Sequence, residues 1–124
     1  MQNYIGRPEE GIKLAEKALR LDPRNPVNYL FVLGVSYSLI GRYEEAIATA
    51  KRVITLNPNH LFGHLTLARS YAELDREEEA RAEAAEVLRI SPKFSVEAFV
   101  QRVPFKDPAA SERTLAALRK AGLK

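Results

Sequence analysis

The chain repeats itself at an interval of 34 residues, and this periodicity constrains the fold more than any other feature. A shift of 34 aligns positions of the same apolar, small or helix-terminating kind: Leu33 with Leu67, Gly34 with Ala68, Tyr37 with Tyr71, Ala46 with Ala80, Ala50 with Ala84 and Pro58 with Pro92. A shift of 35 extends the pattern back to Gly6 and Pro23. A repeat of this length is one supersecondary unit that buries its apolar face against the next copy. The sequence therefore predicts a stack of similar units.

Within each copy, apolar and small residues recur at the spacing of an α-helix. Leu33, Gly34 and Tyr37 lie about one turn apart, so this half of the copy presents one stripe to a neighbour. Gly41 follows, and glycine commonly ends a helix in the left-handed conformation. Asp75 takes that place in the next copy, where it is a weaker stop signal. Each copy is predicted to be a hairpin of two helices.

At these residues the chain resembles the tetratricopeptide-repeat (TPR) family, whose repeats carry small residues near the middle of each helix and proline after the second. The resemblance covers roughly residues 6–92. It departs at Leu30 and His64, where the family often has tryptophan. It implies an all-α fold, a TPR superhelical solenoid of antiparallel helical hairpins with a C-terminal capping helix. It also implies a module that binds protein segments and is not an enzyme.

The pattern divides the chain into four parts. Residues 1–23 hold mainly the second helix of a first repeat, expected at about 8–21. Complete hairpins are predicted at 27–58 and 61–92. Residues 95–124 hold an incomplete fourth hairpin, with a short helix at 95–102, and a capping helix from Pro108 to about Ala121 that Gly122 ends. Because the sequence opens within a repeat, we expect it to be the C-terminal part of a longer solenoid, unless another surface covers the open face.

The last residues, RVPFKDPAASERTLAALRKAGLK, resemble a second group of proteins. They are similar to the tails of bacterial multidomain signalling proteins in which TPRs follow a class III adenylate or guanylate cyclase domain. The resemblance rests on the PFKDP turn and the LRKAGL ending. It implies an alternative function, a self-association or regulatory tail of such a protein. No segment here corresponds to the cyclase domain itself, so none of its metal-binding or nucleotide-binding residues can be assigned.

The first helices of successive hairpins line the concave groove of a TPR stack. The residues predicted to face this groove are Asn28, Phe31, Val35, Leu39, Phe62, Leu65, Arg69, Glu73 and Phe99. Most of them are apolar, and a contiguous exposed apolar strip commonly marks an interaction site. An amphipathic helix or an apolar extended peptide would fit it. The alternative is that the strip is core, filled by the chain's own last helix or by a second copy.

Metal and thiol chemistry have little support in the sequence. The chain has no cysteine, which excludes disulfides, cysteine-ligated zinc and a thiol nucleophile. His60 and His64 have a spacing that can place two zinc ligands on one helix face. No glutamate follows His60, however, and we interpret both histidines as surface or packing residues. No cofactor and no small-molecule substrate are expected.

The charge and hydropathy patterns favour a protein partner over nucleic acid or a membrane. The 19 basic and 16 acidic residues give a net charge of +3, a mixed surface typical of a soluble domain. Phe105 is the one aromatic candidate for base stacking beside the basic C-terminal residues, so nucleic-acid binding is a minor alternative. No apolar run approaches the ~20 residues that span a bilayer. We expect a cytoplasmic protein whose partner is a protein or peptide segment, or a second copy of itself.

Overall fold

Helices alternate with short connections along the chain. The computed structural model describes residues 7–24, 26–103, 105 and 108–124. Within these ranges there are seven helices and no strand, so the predicted all-α architecture is confirmed. The helices are α1 (Pro8–Leu21), α2 (Val27–Leu39), α3 (Tyr43–Leu56), α4 (Leu61–Glu73), α5 (Glu77–Ile90), α6 (Val96–Arg102) and α7 (Pro108–Lys120). None of these helices is long and apolar enough to cross a membrane.

Each of the first four helices packs on the next one in the chain, and α2 also contacts α4. α2 and α3 lie within the predicted hairpin 27–58, and α4 and α5 lie within 61–92. One core cluster joins α1, α2 and α3 through residues such as Ile12, Leu33 and Ala46. A larger cluster joins α3, α4 and α5 to α7, with Leu67 and Leu118 among its buried members. The core is therefore continuous from hairpin to hairpin, as in a stack of repeats.

The helices of the first complete hairpin approach closely at Gly34. A Cβ placed on Gly34 would lie 3.7 Å from both the Ala50 backbone nitrogen and the Thr49 Cγ2. This is ordinary van der Waals contact, so the site has room for a methyl group. Ala68 occupies the equivalent position of the next hairpin and is fully buried. Small residues at this position thus set the distance between the two helices of a hairpin.

The turn within each hairpin requires a left-handed backbone. Gly41 has a φ of 83°, and Asp75 in the equivalent turn has a φ of 58°. Asp75, interpreted from the sequence as a weaker stop signal, therefore adopts the same left-handed conformation as Gly41, although a Cβ there is unfavourable. Gly6, the corresponding residue of the first copy, lies outside the described residues with the rest of 1–6.

In each hairpin, an arginine after the turn contacts side chains of both the first and the second helix. Arg76 stacks on the Tyr71 ring at 4.9 Å and forms two hydrogen bonds with the Glu79 carboxylate, at 2.8 and 2.6 Å. Arg42 stacks on Tyr37 in the same way, at 4.8 Å, and pairs with the carboxylate three residues further along. The two hairpins therefore have the same arginine contacts after the turn as well as the same packing pattern.

The C-terminal part departs from the regular stack. α6 has only seven residues, and α7 packs against both α6 and α4. The backbone N–H of Val96 donates to the carbonyl of Lys124 at 2.9 Å, which ties the end of the chain to the start of α6. Gly122, with a φ of 107°, ends α7 as predicted. Of the predicted PFKDP turn, Pro104, Lys106 and Asp107 lie outside the described residues.

Candidate functional site

The residues predicted to line the groove differ widely in exposure. Phe62 is 44% exposed and Asn28 is also exposed, whereas Leu65 and Arg69 are only 4% and 5% exposed. The remaining members are half-buried: Phe31, Val35, Leu39, Glu73 and Phe99. The prediction of one continuous exposed strip is therefore wrong at Leu65, which belongs to the core.

Aromatic side chains from three successive first helices lie in one row. The Phe62 ring centroid is 5.8 Å from that of Phe31 on α2 and 6.1 Å from that of Phe99 on α6, with tilted ring planes. His60 adjoins Phe31 at 5.4 Å, and Phe94 adjoins Phe99 at 5.7 Å. These separations are typical of favourable aromatic pairs. We call these five residues the aromatic row.

The row does not follow the repeat register. Phe31, Leu65 and Phe99 occupy equivalent positions at intervals of 34 residues, and periodicity alone would place them in one line. In the structure Phe62, one helical turn before Leu65, bridges Phe31 and Phe99 instead. Leu65 points into the core cluster that includes Ala117. The row therefore runs near the start of α4.

His60 is fixed at one end of the row by a helix cap. Its Nδ1 accepts a hydrogen bond from the backbone N–H of Gly63 at 3.0 Å, which satisfies a free donor in the first turn of α4. Burial lowers the pKa of His60, and the neighbouring His64 lowers it further. The ring is therefore neutral at pH 7, as acceptance at Nδ1 requires. Sequence analysis interpreted His60 as a surface or packing residue and did not find its contact with Phe31.

The last helix covers the part of the groove next to the row. Leu65 shares a core cluster with Ala117 and Leu118 of α7, and α7 packs on α4. This is the alternative in which the chain's own last helix fills the strip, and it holds at Leu65. It does not hold at Phe62, which stays exposed. The groove is thus divided into a covered part and an open aromatic part.

His64 has a structural role. Its Nδ1 lies 2.6 Å from Glu83 Oε1 on α5, and its Nε2 lies 2.8 Å from the carbonyl of Pro58. The side chain is buried, so these contacts join α4 to α5 and to the preceding loop. Among the described residues, no group of three or more His, Cys, Asp or Glu side chains could hold a metal ion.

A comparison with models of protein families identifies the family of this repeat. The model described as "Anaphase-promoting complex, cyclosome, subunit 3" matches residues 9–87, more than half of the chain. The chain belongs to this family. The anaphase-promoting complex subunit 3 family is of the TPR type, which confirms the TPR resemblance. A comparison with curated proteins gives no match.

The subunit 3 family match covers part of the candidate site. It extends from α1 through most of α5 and includes Phe31 and Phe62. Phe99 and α7 lie beyond it, and so does the tail with the cyclase-type resemblance, which stays a prediction. TPR-type repeats generally bind proteins or peptides and are typically scaffolds without enzymatic activity.

Proposed function

We propose that this protein is a protein-binding module that holds an apolar segment of its partner, a helix or an extended peptide, against the aromatic row. The observation that carries the proposal is the exposure of Phe62 at the centre of the row. A large aromatic side chain exposed among other apolar rings is typical of an interaction surface.

The geometry of the row favours binding because its members are already fixed. Phe31, Phe62 and Phe99 are anchored on three different helices, and Phe62 contacts the other two, so little side-chain freedom is lost when a ligand docks. Covering the exposed part of Phe62 would contribute on the order of 1 kcal/mol, and aliphatic ligand side chains between the rings would add to this. Several such contacts are needed for micromolar affinity.

The proposed binding surface is narrower than the predicted groove. It comprises Phe31, Phe62 and Phe99 with their neighbours Asn28, Val35 and Leu39 on α2, which are exposed or half-buried. Glu73 lies at the other end of α4 and forms a hydrogen bond with Tyr43. Leu65 is not part of this surface because α7 covers it.

Family membership supports the class of partner. The family is named for a subunit of a multi-protein complex, and its TPR-type repeats are protein-binding units. We therefore favour a protein segment over nucleic acid. No observation on the described residues favours the cyclase-type alternative, and it is not part of the proposal.

The test is a binding selection with a matched pair of variants. Helical and extended peptides displayed from a random library would be selected on the wild-type protein, and their affinities would then be measured for Phe62→Ser and Leu88→Ser. Leu88 is 40% exposed, close to the value for Phe62, but lies on α5 away from the row. We expect apolar peptides to be selected, to lose at least tenfold in affinity for Phe62→Ser, and to bind Leu88→Ser like the wild type.

The same proteins should be compared by light scattering coupled to gel filtration, because a second copy is one possible occupant. A dimer that Phe62→Ser loses would identify the partner as another copy of the chain. Selected peptides that bind Phe62→Ser as well as the wild type, or a library that yields no binder, would contradict the proposal.

A further inference from the structure

An arginine lies buried on α4 without full compensation of its charge. Arg69 is 5% exposed, and its Nε has no hydrogen-bond partner among the described residues. A buried guanidinium normally uses its donors in ion pairs or hydrogen bonds, since an unpaired buried charge is costly. Burial lowers the pKa of Arg69, which means that the charged form of its side chain is destabilised there. Arg69 is therefore a group that would gain from an additional acceptor.

The charges around Arg69 leave an excess of positive charge. The hydroxyl of Tyr43 on α3 donates a hydrogen bond to Glu73 Oε2 at 3.0 Å, so one oxygen of this carboxylate already accepts from another donor. Tyr43 raises the pKa of Arg69 through its charge and a side-chain hydrogen bond, Glu73 raises it through its charge, and Arg113 on α7 lowers it. The guanidinium groups of Arg69 and Arg113 thus interact electrostatically across the contact between α4 and α7. Glu73 supplies the one carboxylate among these groups. Two positive charges that act on one another in this way favour a bound anion.

The cluster also has access to solvent. Arg113 is exposed, and Tyr43 and Glu73 are half-buried, so the cluster reaches the surface, whereas the Nε of Arg69 is itself buried. Guanidinium groups bind carboxylates and phosphates through paired, parallel hydrogen bonds. The tyrosine hydroxyl adds an orienting group at the edge.

We infer that the junction of α3, α4 and α7 is an oxyanion site, in which a carboxylate or phosphate group bridges Arg69 and Arg113. The site is separate from the aromatic row and does not depend on the proposed function. The oxyanion comes either from a free ion in solution or from an acidic side chain of a bound protein segment. In both cases it would link α4 to α7 and hold the last helix on the groove.

The experiment uses thermal unfolding of the full chain with inorganic phosphate or acetate, each against sodium chloride at the same ionic strength. The variants are Arg69→Met, which keeps most of the apolar stem, and Arg113→Gln, which changes an exposed residue. Arg119→Gln is the matched control, an exposed arginine on the same helix. At tenfold excess over Kd we expect the wild-type and Arg119→Gln midpoints to rise by about 4 °C, and those of the other two variants to stay constant.

A second measurement keeps the test valid if Arg69→Met fails to fold. The Nε–H signal of Arg69 in a nitrogen-proton correlation spectrum should shift when phosphate is added to the wild type, and not when it is added to Arg113→Gln. A short glutamate-containing peptide that has the same effect far below the acetate concentration would identify a protein side chain as the source. A response to the inorganic ions alone would identify a free anion.

Two results would overturn the inference. One is an equal rise of the midpoint in the wild type and in both site variants, which would mean that the anions act on the whole surface. The other is the absence of both a midpoint rise and a shift of the Arg69 signal with either anion.

Discussion

Asp75, in the turn between α4 and α5, forms an ion pair with Lys120 near the end of α7. Its hydrogen bond to Asp75 raises the pKa of Lys120, and both side chains are largely exposed. The same aspartate has a φ of 58° in a turn where the preceding hairpin has Gly41. One residue therefore contributes a strained backbone to the turn and a contact to the last helix.

Asp75→Gly should stabilise the protein in high salt. Glycine adopts a positive φ without the Cβ clash, which is worth about 1 kcal/mol, and salt screens the exposed ion pair that the variant lacks. At low salt the lost pair should offset part of this gain. Urea unfolding at both salt concentrations measures the two contributions, and a variant less stable than the wild type in high salt would contradict the assignment.

Gly34→Ala should be tolerated and should stabilise the protein by about 0.5–1 kcal/mol. The added Cβ would meet its neighbours at 3.7 Å, and alanine is a better helix former than glycine. Gly41→Ala is the control: nothing lies within 4 Å of its Cβ, but the φ of 83° should make it destabilising by about 1 kcal/mol. Chemical denaturation distinguishes the two, and a large loss at Gly34 would show that α2 and α3 lie closer than described.

Acidification should weaken the start of α4 through His60. Its folded pKa is lowered from 6.5, mainly by burial, so between these two pKa values the unfolded chain binds more protons. The neutral His60 cap stabilises the folded protein by up to about 1 kcal/mol, and this stabilisation is complete above about pH 6.5. It is lost as the pH falls toward the pKa of His60 in the folded protein. His60→Asn replaces the capping ring nitrogen with an amide oxygen that can accept the same hydrogen bond, and it does not titrate. Its stability should therefore fall less than that of the wild type between pH 7.5 and 5, and equal losses would refute this role.

Glu83→Ala should destabilise the protein by about 1–3 kcal/mol. The change leaves His64 Nδ1, inside the core, without its partner at 2.6 Å. Glu86→Ala on the same helix removes an exposed pair with Arg89 and should cost less than about 0.5 kcal/mol. In a His64→Leu background the cost of Glu83→Ala should largely disappear. An unchanged cost there would mean that Glu83 acts through other contacts.

The helices could be predicted closely because their signals are local. The structure has α1 at Pro8–Leu21, as the spacing indicates, and α7 begins at the predicted Pro108. Asp75 was interpreted as a weaker stop signal than Gly41, yet its turn is left-handed like that of Gly41. Apolar spacing, turn residues and prolines each act within a few residues of their position, so a single sequence contains them.

The candidate site was predicted only in part. Phe31, Phe62 and Phe99 were identified from the face of the helix on which they lie, whereas His60 and Phe94 were not recognised as neighbours of this row. Leu65 was placed on the same open face as Phe62 but is buried. Helical periodicity gives the face on which a side chain lies, and it does not give what packs on that face.

By itself the sequence determined the repeat, its hairpins, their turns and the apolar face of each first helix. Only the tertiary structure decided which part of that face stays open, because α7 returns to pack on α4. Asp75 and Lys120, which meet in this arrangement, are 45 residues apart in the chain. Such a contact depends on the combined packing of several helices, which no local pattern of residues encodes.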